Sequence, residues 1–364
     1  MRKVAVLTTS YPRHAEDFAG RFVMDAASEL RRRGIEVEIV SPGVYRAFGL
    51  ELDGGGFVAQ LRRRPWVAPL VFVAMVRALR RAARDADLVH VHWLAGALVG
   101  ALSGKPFVVT LHGTGSAGRF QDLELVRRWP RLVGLVLRRA QVVIGVSQPL
   151  ADAARACGVG DARWVPNGVA LPEALGIESD PPYVLYAGRL SAEKGIEELV
   201  AATRGLPLVV AGDGPLRGLV PEALGFVGHD RLEQLYGGAA VVVNASHREG
   251  MPLCVIEAMA YGRPVVATAV GGVPSLVEDG RTGFLVEPGD VTTLRARIEL
   301  LLGDAALRRR MGEAARTKVA GLCAWDVVTS QTLEAYEAAM VDRRRRQLPF
   351  VGRDRRKADV KRAA

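Results

Sequence analysis

Ten short runs of Val, Leu, Ile and Ala set the rhythm of this 364-residue chain, and most lead through a loop into a stretch with helical spacing of its apolar residues. The runs fall into two series. The first comprises residues 3–9, 36–40, 88–92, 107–112 and 142–147; the second comprises 183–187, 208–211, 241–245, 264–268 and 284–286. A strand that is apolar at nearly every position is buried on both faces. Helical crossovers between consecutive strands make them parallel. The pattern therefore predicts an α/β protein with two Rossmann-like, doubly wound domains. Between the series, residues 170–182 carry Pro172, Pro181 and Pro182 without periodicity and read as a linker. The domains are then 1–169 and 183–324. Such sheets bind ligands beyond their strand C-termini, so a central cleft between the domains is the expected site.

Composition supports this reading. Apolar residues make up 49% of the chain, enough for two cores, and no apolar run is long enough to span a bilayer. Arg2 and Lys3 lead straight into the first strand, and Thr8, Thr9 and Ser10 follow it, so no signal peptide is expected. Cys157, Cys254 and Cys323 are odd in number and far apart, which suits a reducing, cytoplasmic setting and neither a disulfide framework nor a metal cluster. The net charge of +10 is mostly terminal: residues 343–364 hold ten Lys and Arg against two Asp, a net +8. A basic tail of this kind is expected to be disordered. The body is nearly neutral, and nucleic acid is not an expected partner.

The most informative stretch follows the run 241–245. It reads Glu249-Gly250-Met251-Pro252-Leu253-Cys254-Val255-Ile256-Glu257-Ala258-Met259-Ala260-Tyr261-Gly262. Pro252 suits the first turn of a helix, where its missing N–H costs nothing. Gly262 suits the left-handed position after the last turn. A helix over 252–261 would aim its free N–H groups into the cleft, where they form an anion site. Glu249 falls in the loop before it. Glu257 falls about a turn and a half inside, roughly 7–8 Å further along. A carboxylate accepts two hydrogen bonds at once and so suits vicinal hydroxyls. One glutamate can meet a transferred sugar while the other meets a ribose. Two glutamates eight apart are, by themselves, equally a cap and a solvated side chain; the strand–loop–proline–helix setting favours a site.

A second element, Gly188-Arg189-Leu190-Ser191-Ala192-Glu193-Lys194-Gly195, leaves the first strand of the second series. Arg189 offers a planar fork and Lys194 a compact charge. Together they suit a diphosphate leaving group, although either alone reads as a solvated loop cation.

With these elements in order, the chain resembles family 4 of the retaining glycosyltransferases. Its Glu-x7-Glu signature is Glu249 and Glu257, and its Gly-Arg-Leu…Glu-Lys-Gly loop is Gly188 to Gly195. Asp213-Gly214-Pro215, Gly271-Gly272-Val273-Pro274 and Gly280 with Thr282-Gly283 are also typical. The resemblance implies a GT-B fold and a UDP- or GDP-sugar held mainly by the second domain, with no required metal or other cofactor. It implies transfer of a hexosyl-type sugar to a glycan or lipid-linked acceptor, in cell-surface polysaccharide or glycolipid synthesis. Arg189 and Lys194 would hold the diphosphate, Glu257 the ribose and Glu249 the donor sugar, with Gly250, Met251, Pro252 and Leu253 in the donor loop. Final helices over about 325–342 would cross back onto the first domain.

In the first domain, relatives bring a glycine-rich turn to the diphosphate before the first helix. This chain has Ala19-Gly20 where many have Gly-Gly, leaving Gly20 as the candidate. His112, ending the run 107–112, would face the donor sugar where the acceptor enters, donating to a hydroxyl or carrying a proton. His92 is a candidate for the acceptor side. Asn167-Gly168, after Pro166, resembles the family's turn before the linker and is equally a plain turn. Arg62 to Arg84 carries seven arginines and no acid. On a helix over 70–84, Arg77, Arg80, Arg81 and Arg84 share one face beside apolar Trp66, Val67, Leu70, Phe72, Val73 and Val76. That pattern fits peripheral contact with an anionic membrane on its inner face, to which the basic tail can add. It equally fits an ordinary crossover helix.

Three rivals are separable. A nucleotide-sugar epimerase of GT-B fold would act on donor alone. A dehydrogenase would need Gly-x-Gly-x-x-Gly after the first strand, which residues 9–20 lack. A non-catalytic sugar-binding, membrane-associated protein would not need Arg189, Lys194, Glu249 and Glu257 together.

Overall fold

The computed structural model describes residues 1–13, 20–49, 61, 63–113 and 122–347. Ala19, Arg62 and the tail beyond 347 lie outside the described residues, as do the side chains of 343–347.

All ten expected strands form, with ends within two residues of those expected. In the first domain these are β1 (Lys3–Leu7), β2 (Glu36–Val40), β3 (Leu88–His92), β4 (Phe107–Leu111) and β5 (Val142–Gly145). An eleventh, β6 (Ala162–Trp164), completes this sheet; with three residues and a central arginine it leaves no apolar run in the sequence. The second domain holds β7 (Val184–Ala187), β8 (Leu208–Ala211), β9 (Val241–Asn244), β10 (Val265–Thr268) and β11 (Gly283–Val286). The sheet orders are β2-β1-β3-β4-β5-β6 and β11-β10-β9-β7-β8, and the pairings are parallel throughout. Strand order reverses beside β1 in one sheet and beside β7 in the other, and a crevice opens at such reversals. The loops after these two strands therefore face the space between the domains.

The helices are α1 (Arg21–Arg32), α2 (Ala68–Ala82), α3 (Leu94–Ala101), α4 (Asp122–Arg128), α5 (Pro130–Leu137) and α6 (Gln148–Ala156) in the first domain. Then come α7 (Ile196–Ala202), α8 (His229–Gly238), α9 (Leu253–Ala260), α10 (Val273–Leu276), α11 (Val291–Gly303), α12 (Ala305–Cys323) and α13 (Trp325–Gln347). α13 crosses back onto the first domain. Its Val328, Ala335, Tyr336 and Ala339 are buried with Val6, Val23 and Leu88, and Asp326 pairs with Arg33 at 2.8 Å. The helix runs to Gln347, so residues 343–347 continue it instead of opening an unstructured tail. The linker is pinned: Glu178 pairs with Arg308, and buried Arg263 donates to the carbonyls of Leu175 and Gly176. Across the domain boundary, Asn167 Nδ2 donates to Met251 O at 3.2 Å, giving the Pro166-Asn167-Gly168 turn a role in docking.

Candidate active site

A cleft of about 2280 Å³ lies between the domains. Arg189, Lys194, Glu249, Met251, Pro252, Leu253 and Glu257 line it from the second domain, and His112 from the first. The expected elements therefore converge although they span 145 residues of sequence. Gly20 and Gly250 are buried behind the wall and His92 turns inward, so these three do not line the cleft.

Glu249 is the most constrained member. Its side chain is 3% exposed, and Oε1 accepts from Lys194 Nζ at 2.7 Å, Ser246 Oγ at 2.7 Å and Asn244 Nδ2 at 3.2 Å. Asn244 ends β9 and Ser246 follows it, so the strand end delivers two donors to a carboxylate a few residues on. Burial works against the charge of Lys194, but the Glu249 carboxylate outweighs it and holds the ammonium above its ordinary value. Behind the loop, Gly271 takes φ 55°, and a Cβ there would sit 1.8 Å from Glu249 O. Only glycine permits that approach, which accounts for the Gly271-Gly272 pair.

Lys194 sits in a short 3₁₀ turn, Ala192–Lys194, after β7. Arg189, in the same loop, makes no side-chain hydrogen bond or ion pair among the described residues. Its backbone carbonyl accepts from Tyr186 Oη at 2.8 Å, which fixes the loop and leaves the guanidinium to the cleft. The two cations thus differ: Lys194 is held by a buried acid, whereas Arg189 is held by no side chain among the described residues, and both line the cleft.

α9 begins at Leu253, and Pro252 stands just before its first turn instead of inside it, with ψ 118°. Gly262 has φ 66°, the left-handed stop its position implied. Glu257 receives a hydrogen bond from Tyr236 Oη at 2.8 Å, and burial pushes its carboxyl above the usual range. Tyr236 comes from α8, 21 residues earlier. Nothing in local spacing signals that contact. Cys254 also lies on the cleft, but burial pushes its thiol up to about 12, so it is protonated and inert as a nucleophile.

On the first-domain side, Gly20 precedes α1 with φ 74°, and a Cβ there would fall 2.1 Å from Ser10 O. Its work is to let the loop after β1 fold against the helix start, presenting Ser10, Tyr11 and Arg21 to the cleft. His112 stacks on His92, with ring centroids 5.1 Å apart and Nε2 2.8 Å from His92 Nδ1. Its backbone N–H donates to the buried Asp122 carboxylate at 3.0 Å, which also accepts from Leu94 N at 3.1 Å. Burial pushes His112 down to about 3 and Asp122 up to about 6. His112 therefore faces the cleft as a neutral imidazole that exchanges hydrogen bonds, not as a proton-carrying cation.

His92 shares a strand face with His90, at 4.5 Å between rings. Both point into a cavity of about 60 Å³ under α13. His90 bonds Tyr336 Oη and Thr110 Oγ1, each at 2.7 Å. The sequence places two histidines at the end of β3, but the face they occupy is set by the crossing helix. His92 thus sits behind His112 in this cavity and does not itself line the cleft. Among the described residues, no group of three or more His, Cys, Asp and Glu side chains is placed to hold a metal ion.

With this geometry in place, comparison with known proteins is informative. Residues 19–172 match the family model described as Glycosyltransferase Family 4, and residues 170–318 match Glycosyl transferases group 1. The chain is 30% identical over 320 residues to glycogen synthase of Mycobacterium tuberculosis, covering 76% of this chain and 77% of that one. Its fold is similar to sucrose-phosphate synthase from Thermosynechococcus elongatus, with TM-score 0.75 and 24% identity over 94% of this chain and 100% of that one. It is also similar to Anabaena Alr3699/HepE in complex with UDP-glucose, with TM-score 0.70 and 22% identity over 93% and 100%. Two matching models, one on each domain, and this identity along most of a relative's length lead to one conclusion: the chain belongs to the family 4, group 1 glycosyltransferases and has their GT-B fold.

Proposed function

We propose that this glycosyltransferase moves a hexosyl-type sugar, with retention of anomeric configuration, from a UDP- or GDP-sugar to a glycan or lipid-linked acceptor. The observation that carries the reading is the convergence of Arg189, Lys194 and the start of α9 beside buried Glu249 and half-buried Glu257 on one cleft wall. Such a wall suits a diphosphate next to hydroxyl-bearing rings. The UDP-glucose bound by the Anabaena neighbour supports a nucleotide sugar as donor.

As the bond from the anomeric carbon to the diphosphate oxygen breaks, negative charge grows on the leaving group. Arg189, Lys194 and the N–H groups at the start of α9 stabilise that charge, so divalent metal is not needed. Glu249 orients the Lys194 ammonium and offers its remaining lone pairs to the sugar hydroxyls. Glu257 receives the ribose, and His112 donates to a hydroxyl of the transferred sugar. The acceptor oxygen attacks from the face the diphosphate leaves, and its proton passes to the departing phosphate oxygen. The setting is cytoplasmic, in the assembly of cell-surface polysaccharide or glycolipid.

A thermal-shift panel of nucleotide diphosphates and nucleotide sugars tests the donor, because a ligand bound to the native state raises the melting temperature. UDP or GDP should raise it, with or without chelator. A shift that requires a divalent cation overturns the metal-free reading. NMR of the product's anomeric proton decides retention.

A further inference from the structure

Helices α2, α3 and α5 pack side by side on the face of the first sheet opposite α1 and α13. Their inner stripes are core: Val71, Met75 and Leu79 on α2, and Val133 and Leu137 on α5. Their outer stripes should then be polar. They are not. On α2, Leu70 and Val73 stand out, as does Trp66 in the 3₁₀ turn just before it, 70% exposed. Trp129, just before α5, and Leu132 and Leu135 on it stand out, the two leucines 62% and 60% exposed. Leu98 of α3 is exposed between them. Single exposed apolar residues are ordinary, but several on three adjacent helices make a patch.

The charge around the patch has one sign. Between residues 63 and 85 and between 122 and 139, eleven exposed arginines stand against two exposed acids, Asp85 and Glu124. The outer stripe of α2 is apolar for its first two turns and basic beyond, from Arg77 onward. Arg128 at the end of α4 and Arg139 just past α5 bracket Leu132 and Leu135, and the Arg128 guanidinium lies 6.0 Å from the Trp129 ring. The Val67 side chain is buried and Phe72 and Val76 are partly covered, so the exposed surface is narrower on α2 than the sequence implies, but it extends across to α5. An aqueous protein surface gains nothing from this combination. A lipid interface accepts both halves: indole and leucine at the acyl boundary, guanidinium at anionic headgroups. No described helix is long and apolar enough to cross a membrane, so the contact is one of lying on the surface.

We propose that the outer face of α2, α3 and α5 seats the first domain on an anionic bilayer surface, with Trp66, Leu70, Trp129, Leu132 and Leu135 entering the headgroup boundary. The proposal stands apart from the donor reading, which is tested without lipid.

The test uses the full-length chain with vesicles of phosphatidylglycerol and phosphatidylcholine, with and without bromine on the acyl chains. The basic tail carries no tryptophan, so it can tether the protein without placing an indole near bromine. Brominated anionic vesicles should quench the wild-type fluorescence, and Trp66→Phe/Trp129→Phe should remove most of the quenching. Leu132→Asp/Leu135→Asp should lower vesicle partitioning at least about tenfold, with circular dichroism unchanged. Three results overturn the proposal. One is co-sedimentation without quenching, which leaves the tail as the only tether. Another is quenching that survives in the double Phe variant. The third is a solution dimer that the Asp variant dissolves, which assigns the face to a second copy.

Discussion

Lys194→Ala should destabilise the second domain by an amount that depends on Glu249. The two side chains are 26% and 3% exposed and meet at 2.7 Å. Breaking a fully buried ion pair from one side costs about 3–5 kcal/mol, because the surviving charge is left without compensation. Water reaches Lys194 here, and Glu249 keeps the donors of Ser246 and Asn244. These reduce the expected cost to about 2 kcal/mol. For a domain of this size that is roughly 4–8 °C in melting temperature. Glu249→Gln keeps the shape and an acceptor for Lys194, and should cost about 1 kcal/mol. Lys194→Ala made on top of Glu249→Gln should then cost about 0.5 kcal/mol, since no buried charge remains to be stranded. Calorimetric melts and urea titrations of the four proteins, all without ligand, give the coupling as about 1.5 kcal/mol. Equal costs of Lys194→Ala in both backgrounds would refute the argument that Lys194 exists to neutralise Glu249. In that case the lysine would stabilise the fold by packing alone.

Other outcomes follow from the same geometry. Gly20→Ala forces a side chain into left-handed backbone and onto Ser10 O, and should cost about 1–3 kcal/mol together with a loss of donor affinity, read by thermal shift with and without UDP. Glu257→Ala should weaken binding of the sugar-free diphosphate about tenfold or more, while Glu249→Ala should leave that binding nearly intact and damage transfer. Calorimetric titration decides this, and equal losses would end the division of roles. Asp122 titrates near 6 in the folded chain, above its unfolded value of about 3.9, so its contribution is fully present below pH 4 and is lost as pH rises through 6. Asp122→Asn should flatten that limb of the stability curve. It should also lower stability at pH 7, where Asp122 is ionised, because one amide oxygen cannot take the place of both carboxylate oxygens, which hold His112 N and Leu94 N.

Much of this molecule is written in local pattern. Short near-continuous apolar runs bounded by turn residues suit strands covered on both sides, and helical crossovers between them make the strands parallel, so two doubly wound domains are the reading the sequence favours. The cleft residues Arg189, Lys194 and Glu249 were legible because each sits in a loop after a strand marked by glycine or proline, and Glu257 because it follows Glu249 at a set spacing inside the next helix. What sequence does not carry is which side chain meets which across the fold. Glu249 and Lys194 are 55 residues apart, and their ion pair exists only because β7 and β9 are neighbours in the sheet. Tyr236 of α8 meets Glu257 of α9 only in the folded chain, and neither helix's periodicity says so. His92 looked like an acceptor-side group from its strand end, yet it faces inward, because α13 packs over that face of the first sheet and closes it from the cleft. The exposed apolar face likewise needed three helices to be laid side by side before Leu132 and Leu135 joined Trp66 and Leu70. Periodicity along a chain is a short-range property and survives in the sequence. Contacts between elements depend on sheet order and on a returning helix, and only the folded chain decides them.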